Sequence, residues 1–250
     1  MSQYIDQGYT HPSPPRRGRV LTAYVARIWL VNALIAFCFS LTVIGPAPSL
    51  AAPGADSGTK AKIFILGDSL TAGWGVENGE SLPAQLQARL KALGHMVAVV
   101  NGGVSGDTTA GGKARIGWGL KDKPDAVIVA LGGNDALRGL SPQATRRNLD
   151  AILARIKQAG LPVLLAGYKS PRNLGPEYIA EFEAVYPELA KKHSVLFYPF
   201  ILDGVALDPA LNQGDGIHPN ARGVARMVDG LLPYVEKLIA RIKASAPPGP

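Results

Sequence analysis

A serine at position 69 stands where an apolar run gives way to a turn. Residues 63–66 are all apolar, and the tetrapeptide Gly-Asp-Ser-Leu follows at 67–70. In open α/β folds the chemistry lies at the carboxyl edge of the sheet, where a side chain at this position would be exposed. Ser69 becomes a nucleophile only if the fold also supplies a general base and donors for an oxyanion. The alternative is a structural serine, because serine also caps strand-to-helix turns.

The candidate base is His218, in a turn-rich loop before the last apolar stripe of the chain. Asp215 precedes it by three residues, and Pro219 follows it directly. A short loop can bring the Asp215 carboxylate to imidazole Nδ1, where it fixes the tautomer while Nε2 faces the serine. A purely structural histidine is one alternative. A metal site on Asp215 and His218 is another, but the sequence places no second histidine or cysteine to complete it.

Two further positions can supply donors to an oxyanion. Asn134 follows two glycines after the apolar run 126–131, and its side-chain amide can donate a hydrogen bond. Gly106 can add a backbone N–H at a place where we expect a Cβ to crowd the site. Both residues can also be explained as turn residues. Ser105 is interpreted as structural, because the sequence Gly-Val-Ser-Gly-Asp at 103–107 lacks the final glycine of a Gly-x-Ser-x-Gly motif.

Five short apolar or β-branched runs alternate with helical patterns. The runs are 63–66, 97–100, 126–131, 163–166 and 195–197. The clearest helical stripes are Leu82, Leu86, Leu90 and Leu93; Leu149, Ile152, Leu153 and Ile156; and Val224 to Ile242. The alternation predicts an α/β fold, a three-layer α/β/α sandwich of about five parallel strands joined by right-handed crossovers. Ser69, Gly106 and Asn134 each follow one of the first three strands, so one edge of the sheet should gather them.

Composition indicates a globular chain that does not bind nucleic acid. The 250 residues are 47% hydrophobic and 18% charged, a balance that suits one sizeable folded domain. The net charge of +7 is scattered, with no run of lysine or arginine longer than a pair, whereas nucleic-acid binding needs a clustered basic face with stacking aromatics. We therefore expect a small-molecule partner. The sequence leaves the oligomeric state open.

Residues 1–51 are typical of an export signal peptide. A basic stretch precedes the apolar run 28–45, and Ser49 and Ala51 provide the small residues at −3 and −1 of a cleavage site. An uncleaved anchor is the alternative, because the run is about long enough to cross a thin bilayer. We expect an exported protein, periplasmic or secreted, whose transient membrane contact occurs only through this segment.

Cleavage of the signal would leave a domain without cysteine. Cys38 is the one cysteine of the chain and lies inside the apolar run, so the mature protein would have no disulfide, no cysteine nucleophile and no cysteine-ligated metal. Residues 52–60 are rich in small residues and proline and are interpreted as a linker. The folded domain is expected at 61–243 and a disordered tail at 244–250.

Four blocks of sequence, in this order, resemble those of the SGNH hydrolases, also called GDSL esterases and lipases. The blocks are Gly-Asp-Ser-Leu at 67–70, Asn-Gly-Gly-Val-Ser-Gly-Asp-Thr-Thr at 101–109, Gly-Gly-Asn-Asp at 132–135 and Asp-Gly-Ile-His-Pro-Asn at 215–220. The resemblance covers about residues 61–243 and favours the exported arylesterase, thioesterase I and lysophospholipase group. It implies a flavodoxin-like sandwich, no cofactor, and hydrolysis of acyl esters or thioesters.

The same resemblance implies catalytic roles for the residues already singled out. Ser69 is the nucleophile, His218 is the general base, and Asp215 orients the histidine. The backbone N–H groups of Ser69 and Gly106 and the side chain of Asn134 receive the oxyanion. Beside these, Asp68 is expected to hydrogen-bond within its loop and Asp135 to hold the loop of Asn134.

The pocket and the substrate class stay open on sequence alone. Four apolar residues either line an acyl groove or simply pack their loops: Leu137, Leu140, Leu174 and Tyr178. The same catalytic residues could instead deacetylate carbohydrates, in which case exposed aromatics should stack on the sugar. Trp74 could do so, whereas Trp118 lies in a helical pattern and is expected in the core. A non-catalytic binding protein on this fold is the third alternative.

Overall fold

The computed structural model describes residues 61–245, and five strands in this part of the chain form one parallel sheet. The strands are β1 (Ala61–Gly67), β2 (Val97–Gly103), β3 (Ala126–Ala130), β4 (Val163–Ala166) and β5 (Leu196–Tyr198). Their order across the sheet is β2-β1-β3-β4-β5, and every neighbouring pair is parallel. Each of the five predicted runs overlaps one strand, and the order is that of a flavodoxin-like doubly wound sheet.

Helices cover both faces of the sheet. In the described residues they are α1 (Ser69–Ala72), α2 (Leu82–Ala92), α3 (Thr109–Lys121), α4 (Gly133–Leu137), α5 (Pro142–Gln158), α6 (Pro176–His193) and α7 (Ala221–Ser245), with 3₁₀ turns at Asn78–Glu80 and Arg172–Leu174. Helix α2 packs with α7 in one layer, and α3, α5 and α6 pack in the other. The predicted three-layer α/β/α sandwich is therefore confirmed.

The core lies between the sheet and these two helical layers. All five residues of β3 are buried, because a central parallel strand is covered on both faces. The predicted stripes of α5 and α7 are buried almost throughout, with Ile242 only partly buried. Leu93 is the exception on α2, since the helix ends at Ala92 and leaves this leucine half exposed.

Several predictions on the termini fall outside the described residues. These are the signal peptide at 1–51, the linker at 52–60 and the last five residues of the chain. The prediction that a disordered tail starts at residue 244 is wrong by two residues, because α7 continues through Ser245. Within 61–245 none of the helices combines the length and the apolar character that a membrane crossing requires.

Candidate active site

Ser69 and the loop that carries His218 meet at the carboxyl edge of the sheet. Ser69 is the first residue of α1, which begins just after β1 ends. His218 Nε2 lies 2.9 Å from Ser69 Oγ, and His218 Nδ1 lies 2.6 Å from Asp215 Oδ2. The structure therefore joins in one hydrogen-bonded series the three residues that the sequence singled out.

Asp215 is arranged as an ionised acceptor. Its Oδ1 accepts the backbone N–H groups of Ile217 and His218, both at 2.9 Å, while Oδ2 faces imidazole Nδ1. The hydrogen bonds from His218, backbone first and then side chain, and the bond from Ile217 lower the pKa of Asp215 to about 2. An ionised carboxylate only accepts, so Nδ1 of His218 carries the proton and Nε2 is left to accept from the Ser69 hydroxyl.

Asp215 and His218 gain no third metal ligand from the part of the chain that the structure describes. No group of three or more His, Cys, Asp or Glu side chains is placed there to hold an ion.

Asp68, the residue before the serine, is buried and hydrogen-bonded. Its Oδ1 accepts the Leu70 N–H at 3.0 Å, and its Oδ2 accepts the Tyr168 hydroxyl at 3.1 Å. The prediction that Asp68 bonds within its own loop is confirmed. Removal from water raises the pKa of Asp68 to about 6, although the bonds from Leu70 and Tyr168 act in the opposite direction. Sequence reasoning missed Tyr168 as a partner of Asp68, since the two residues are 100 positions apart along the chain.

A hydrogen bond connects the loop of Gly106 to the first turn of α4, which contains Asn134. Asn134 Nδ2 donates to the carbonyl of Asp107, the neighbour of Gly106, at 2.9 Å. The amide of Asn134 keeps a second hydrogen. The backbone N–H groups of Ser69 and Gly106 donate to no other residue within 61–245. Three donors at this edge are thus available to an oxyanion.

The backbone, rather than contact with other protein atoms, accounts for the glycine at position 106. A Cβ at Gly106 would come within 4 Å only of Arg138 Nη2, at 3.6 Å, which is an ordinary contact. The φ of Gly106 is +79°, a left-handed backbone conformation that other residues rarely adopt. Close approach needs a glycine at Gly103, where a Cβ would lie 2.2 Å from the Ala72 nitrogen.

Asp135 connects the first turn of α4, which contains Asn134, to the start of α3. Its Oδ2 accepts the Thr109 N–H at 2.9 Å, and its Oδ1 accepts the Thr109 hydroxyl at 2.5 Å and the Thr145 hydroxyl at 3.2 Å. Asp135 is buried, so these donors replace the water that the carboxylate lost. The predicted role of Asp135 in holding the segment of Asn134 is confirmed, although this segment is the first turn of α4 and not a loop.

Exposed apolar side chains flank the hydrogen-bonded residues. Trp74 is 56% exposed, and its ring centroid lies 6.2 Å from that of His218. Leu137 and Leu140, on α4 and the loop after it, are 53% and 40% exposed. Trp118 is mostly exposed as well, so its predicted place in the core is wrong. The buried face of α3 is formed by small residues and Ile116, and Trp118 lies off that face.

Gln213 is a second residue that sequence reasoning missed. Its Nε2 donates to the Trp74 carbonyl at 2.8 Å and to the Pro219 carbonyl at 2.9 Å, and its backbone N–H donates to the His218 carbonyl at 2.8 Å. The histidine loop is thereby tied to the segment that follows α1. No pattern in the sequence signals such a contact, because a lone glutamine in a loop is normally solvated.

Comparison with known proteins gives consistent similarities. The GDSL-like Lipase/Acylhydrolase family matches residues 65–226. Esterase TesA of Pseudomonas aeruginosa is 38% identical over 71% of this chain and 89% of its own length. Thioesterase 1/protease 1/lysophospholipase L1 of Escherichia coli K12 is 39% identical over 71% of this chain and 84% of its own.

A solved structure extends the similarity to the fold. The crystal structure of AlinE4, an SGNH-hydrolase family esterase, is 46% identical and covers 72% of this chain and 97% of that one, with a TM-score of 0.62. The family match spans more than half of the 250 residues and includes Ser69, Gly106, Asn134, Asp215 and His218. This chain therefore belongs to the GDSL-like lipase/acylhydrolase family, the SGNH hydrolases.

Proposed function

We propose that this chain, a carboxylic ester hydrolase, cleaves acyl esters and thioesters through an acyl-enzyme on Ser69. The observation that carries the proposal is the uninterrupted series from Asp215 through His218 to Ser69, with separations of 2.6 and 2.9 Å. Nucleophile, base and orienting acid are within hydrogen-bond reach of one another, as nucleophilic catalysis by serine requires.

Acylation begins with attack of Ser69 Oγ on the substrate carbonyl carbon. His218 Nε2 takes the serine proton, and the Asp215 carboxylate stabilises the imidazolium that results. The negative oxygen of the tetrahedral intermediate accepts hydrogen bonds from the backbone N–H groups of Ser69 and Gly106 and from Asn134. His218 then gives its proton to the departing alcohol or thiol, which leaves the acyl group on Ser69.

Deacylation repeats these steps with water as the nucleophile. His218 removes a proton from water, which attacks the acyl carbonyl, and the same donors receive the oxyanion. Ser69 recovers its proton from His218 and the carboxylic acid leaves. The donors act in both halves of the reaction, so removing one is expected to lower kcat by about 10²–10³-fold.

The acyl chain is proposed to lie beside the leucines of α4 and the loop after it. Leu137 and Leu140 are 53% and 40% exposed, which favours a groove lining over simple loop packing for these two. Tyr178 differs, because its ring stacks on Phe182 and its hydroxyl donates to the Leu140 carbonyl at 2.8 Å. The Tyr178 side chain therefore supports this loop from the core side.

The nucleophile is tested with protein that starts at Ala52 and with its Ser69→Ala variant. Both are assayed on p-nitrophenyl esters from acetate to palmitate. Loss of turnover in the variant, with an unchanged circular dichroism spectrum, supports the proposal. Equal activity in both proteins, or labelling of neither by a fluorophosphonate, refutes it and favours a non-catalytic binding role.

A carbohydrate acetyl esterase is a second candidate, favoured by the exposed Trp74 beside His218. An indole at this place can stack on a sugar ring while His218 protonates the departing sugar oxygen. Acetylated xylo-oligosaccharides are compared with p-nitrophenyl acetate in the wild type and in Trp74→Ala. A preference for the oligosaccharide that disappears in Trp74→Ala would establish this candidate, and hydrolysis of p-nitrophenyl acetate alone would reject it.

We also propose that the enzyme is exported, to the periplasm or beyond, after cleavage of residues 1–51. The support is the small-residue site at Ser49 and Ala51 behind an apolar run. Mass spectrometry of the protein from fractionated bacterial cells tests it. A mature chain that begins at Ala52 is expected, and a full-length chain in the membrane fraction would indicate a retained anchor instead.

A further inference from the structure

Arg115 on α3 uses every nitrogen of its guanidinium group at the edge of the sheet that holds the active site. Nε donates to Asp107 Oδ2 at 2.6 Å, Nη1 to the Gly102 carbonyl at 2.7 Å and Nη2 to the Gly67 carbonyl at 2.8 Å. The side chains of Arg115 and Asp107 are 24% and 10% exposed. Solvent therefore screens this pair far less than it screens ion pairs on the open surface.

Two of the three acceptors lie at the ends of neighbouring strands. Gly67 ends β1, two residues before Ser69, and Gly102 is the last but one residue of β2. The Gly67 carbonyl also accepts the Val104 N–H at 3.1 Å. The segment that leaves β1 toward Ser69 is thus tied to the segment that leaves β2 toward Gly106.

The third acceptor, Asp107, connects Arg115 to Asn134, the remaining proposed oxyanion donor. Arg115 holds the Asp107 carboxylate, and the Asp107 carbonyl accepts Asn134 Nδ2 at 2.9 Å. Asp107 also follows Gly106 directly in the chain. One guanidinium group is therefore connected, through one or two contacts, to all three segments that carry the donors.

We propose that Arg115 is a positioning residue for the oxyanion site, a role that rests on the proposed function. It fixes the distance between the Ser69 N–H on one side and the donors of Gly106 and Asn134 on the other. Such donors stabilise developing charge only if they are held in place before the reaction, and a misplacement of about 1 Å can cost about 10²-fold in rate.

Lysine cannot replace this arginine. The three acceptors receive three different nitrogens of one planar group, whereas an ammonium group offers a single nitrogen on a flexible stem. Arg115→Lys keeps the positive charge and much of the side-chain volume but loses the planar group of three donor nitrogens. The variant therefore separates the geometry of the contacts from the charge alone.

The experiment measures kcat, KM and inhibition by phenylboronic acid in protein that starts at Ala52. Enzyme concentration is taken from complete fluorophosphonate titration of Ser69, so that misfolded protein does not enter kcat. Arg115→Lys should lower kcat by about 10²-fold with KM nearly unchanged. The boronic acid forms a tetrahedral anion on Ser69, so its affinity should fall in proportion to kcat/KM.

Arg89→Lys is the matched control. Arg89 pairs with Asp229 at 2.7 Å on the exposed surface where α2 meets α7, and the same exchange there should leave kcat and boronic acid affinity at wild-type values. A purely structural Arg115 would lower only the yield of titratable serine. Unchanged kcat per active serine and unchanged boronic acid affinity in Arg115→Lys would overturn the inference.

A second variant covers the case in which Arg115→Lys does not fold. Asp107→Asn removes the charge of the acceptor but keeps its shape and its backbone carbonyl, and it should shift kcat and boronic acid affinity in the same direction by a smaller factor. Wild-type values for both quantities in Asp107→Asn would then reject the inference. If Ser69→Ala keeps full activity, the proposed function fails and this inference fails with it. If Ser69→Ala is inactive while Arg115→Lys and Asp107→Asn are both normal, only the inference fails.

Discussion

Asp68 should give the folded protein a distinctive pH dependence. Asp68 precedes Ser69, the proposed nucleophile, and is 2% exposed. Its carboxylate accepts hydrogen bonds from the Leu70 N–H and the Tyr168 hydroxyl. Loss of hydration outweighs these donors and the nearby His218, and it raises the pKa of Asp68 from 3.8 to about 6. The folded protein therefore holds this proton more tightly than the unfolded chain does.

The size of the effect follows from that difference in pKa. A rise from 3.8 to about 6 corresponds to about 3 kcal/mol. Between these two values the folded state binds more protons than the unfolded state, so the contribution of Asp68 to the free energy of unfolding falls as the pH rises. The contribution is greatest below pH 3.8, declines through pH 6 and is constant above it.

The measurement compares urea unfolding of the wild type and of Asp68→Asn between pH 3.5 and 7.5. Asparagine does not titrate, and its side-chain oxygen can still accept from Leu70. The free energy of unfolding of the variant minus that of the wild type should rise by about 3 kcal/mol over this range. Asp150 and Asp215 have lowered pKa values, which change the free energy of unfolding with pH in the opposite direction. Their contributions are the same in both proteins and cancel in the difference.

Tyr168→Phe is the directional control for this prediction. It removes one donor to the Asp68 carboxylate, so the window in which stability falls should move to higher pH. Parallel curves of unfolding free energy against pH for the wild type and Asp68→Asn would refute the reasoning, because they would mean that burial does not disfavour the ionised form of Asp68.

Three further substitutions test other contacts of the site. Asp215→Asn should lower kcat by up to about 10⁴-fold at neutral pH, since the amide no longer fixes the tautomer of His218; a loss below tenfold would contradict this. Leu137→Ala should shift the preferred acyl length in the p-nitrophenyl series, whereas an unchanged optimum would exclude Leu137 from the groove. Gln213→Leu should lower kcat by up to about 10²-fold, because the loop of His218 loses its contacts with Trp74 and Pro219. Unfolding by urea controls for a loss of global stability, and an unchanged kcat would contradict the prediction.

Much of the fold could be predicted because buried parallel strands leave a strong local signal. The run 163–166 coincides with β4, and β1 and β2 extend beyond their predicted runs only by polar, small or glycine residues. Such residues continue backbone pairing without adding an apolar signal. Trp118 was misplaced for a related reason: the buried face of α3 contains three small residues, so hydrophobicity gives no hint of which side of that helix meets the sheet.

The contacts that position the site could not be predicted in the same way. Ser69 and His218 are 149 residues apart, and only their chemistry and the ordered blocks suggested that they meet. Arg115 reaches Gly67 across 48 residues, and Tyr168 reaches Asp68 across 100. These partners are single polar residues without periodicity or spacing. Their pairing depends on the helix and strand placement, which is decided by the whole core.

The two halves of the site are held in different ways, and the difference suits their tasks. The proposed oxyanion donors are connected to β1, β2 and α3 through the part-buried Arg115 and the buried Asp135. His218 lies instead on a loop whose neighbours Asp215 and Ile217 are exposed. A donor must stay fixed toward one oxygen through both tetrahedral intermediates, so rigidity helps it. The histidine must serve the serine, the leaving group and water in turn, and a loop held at a few points allows that movement.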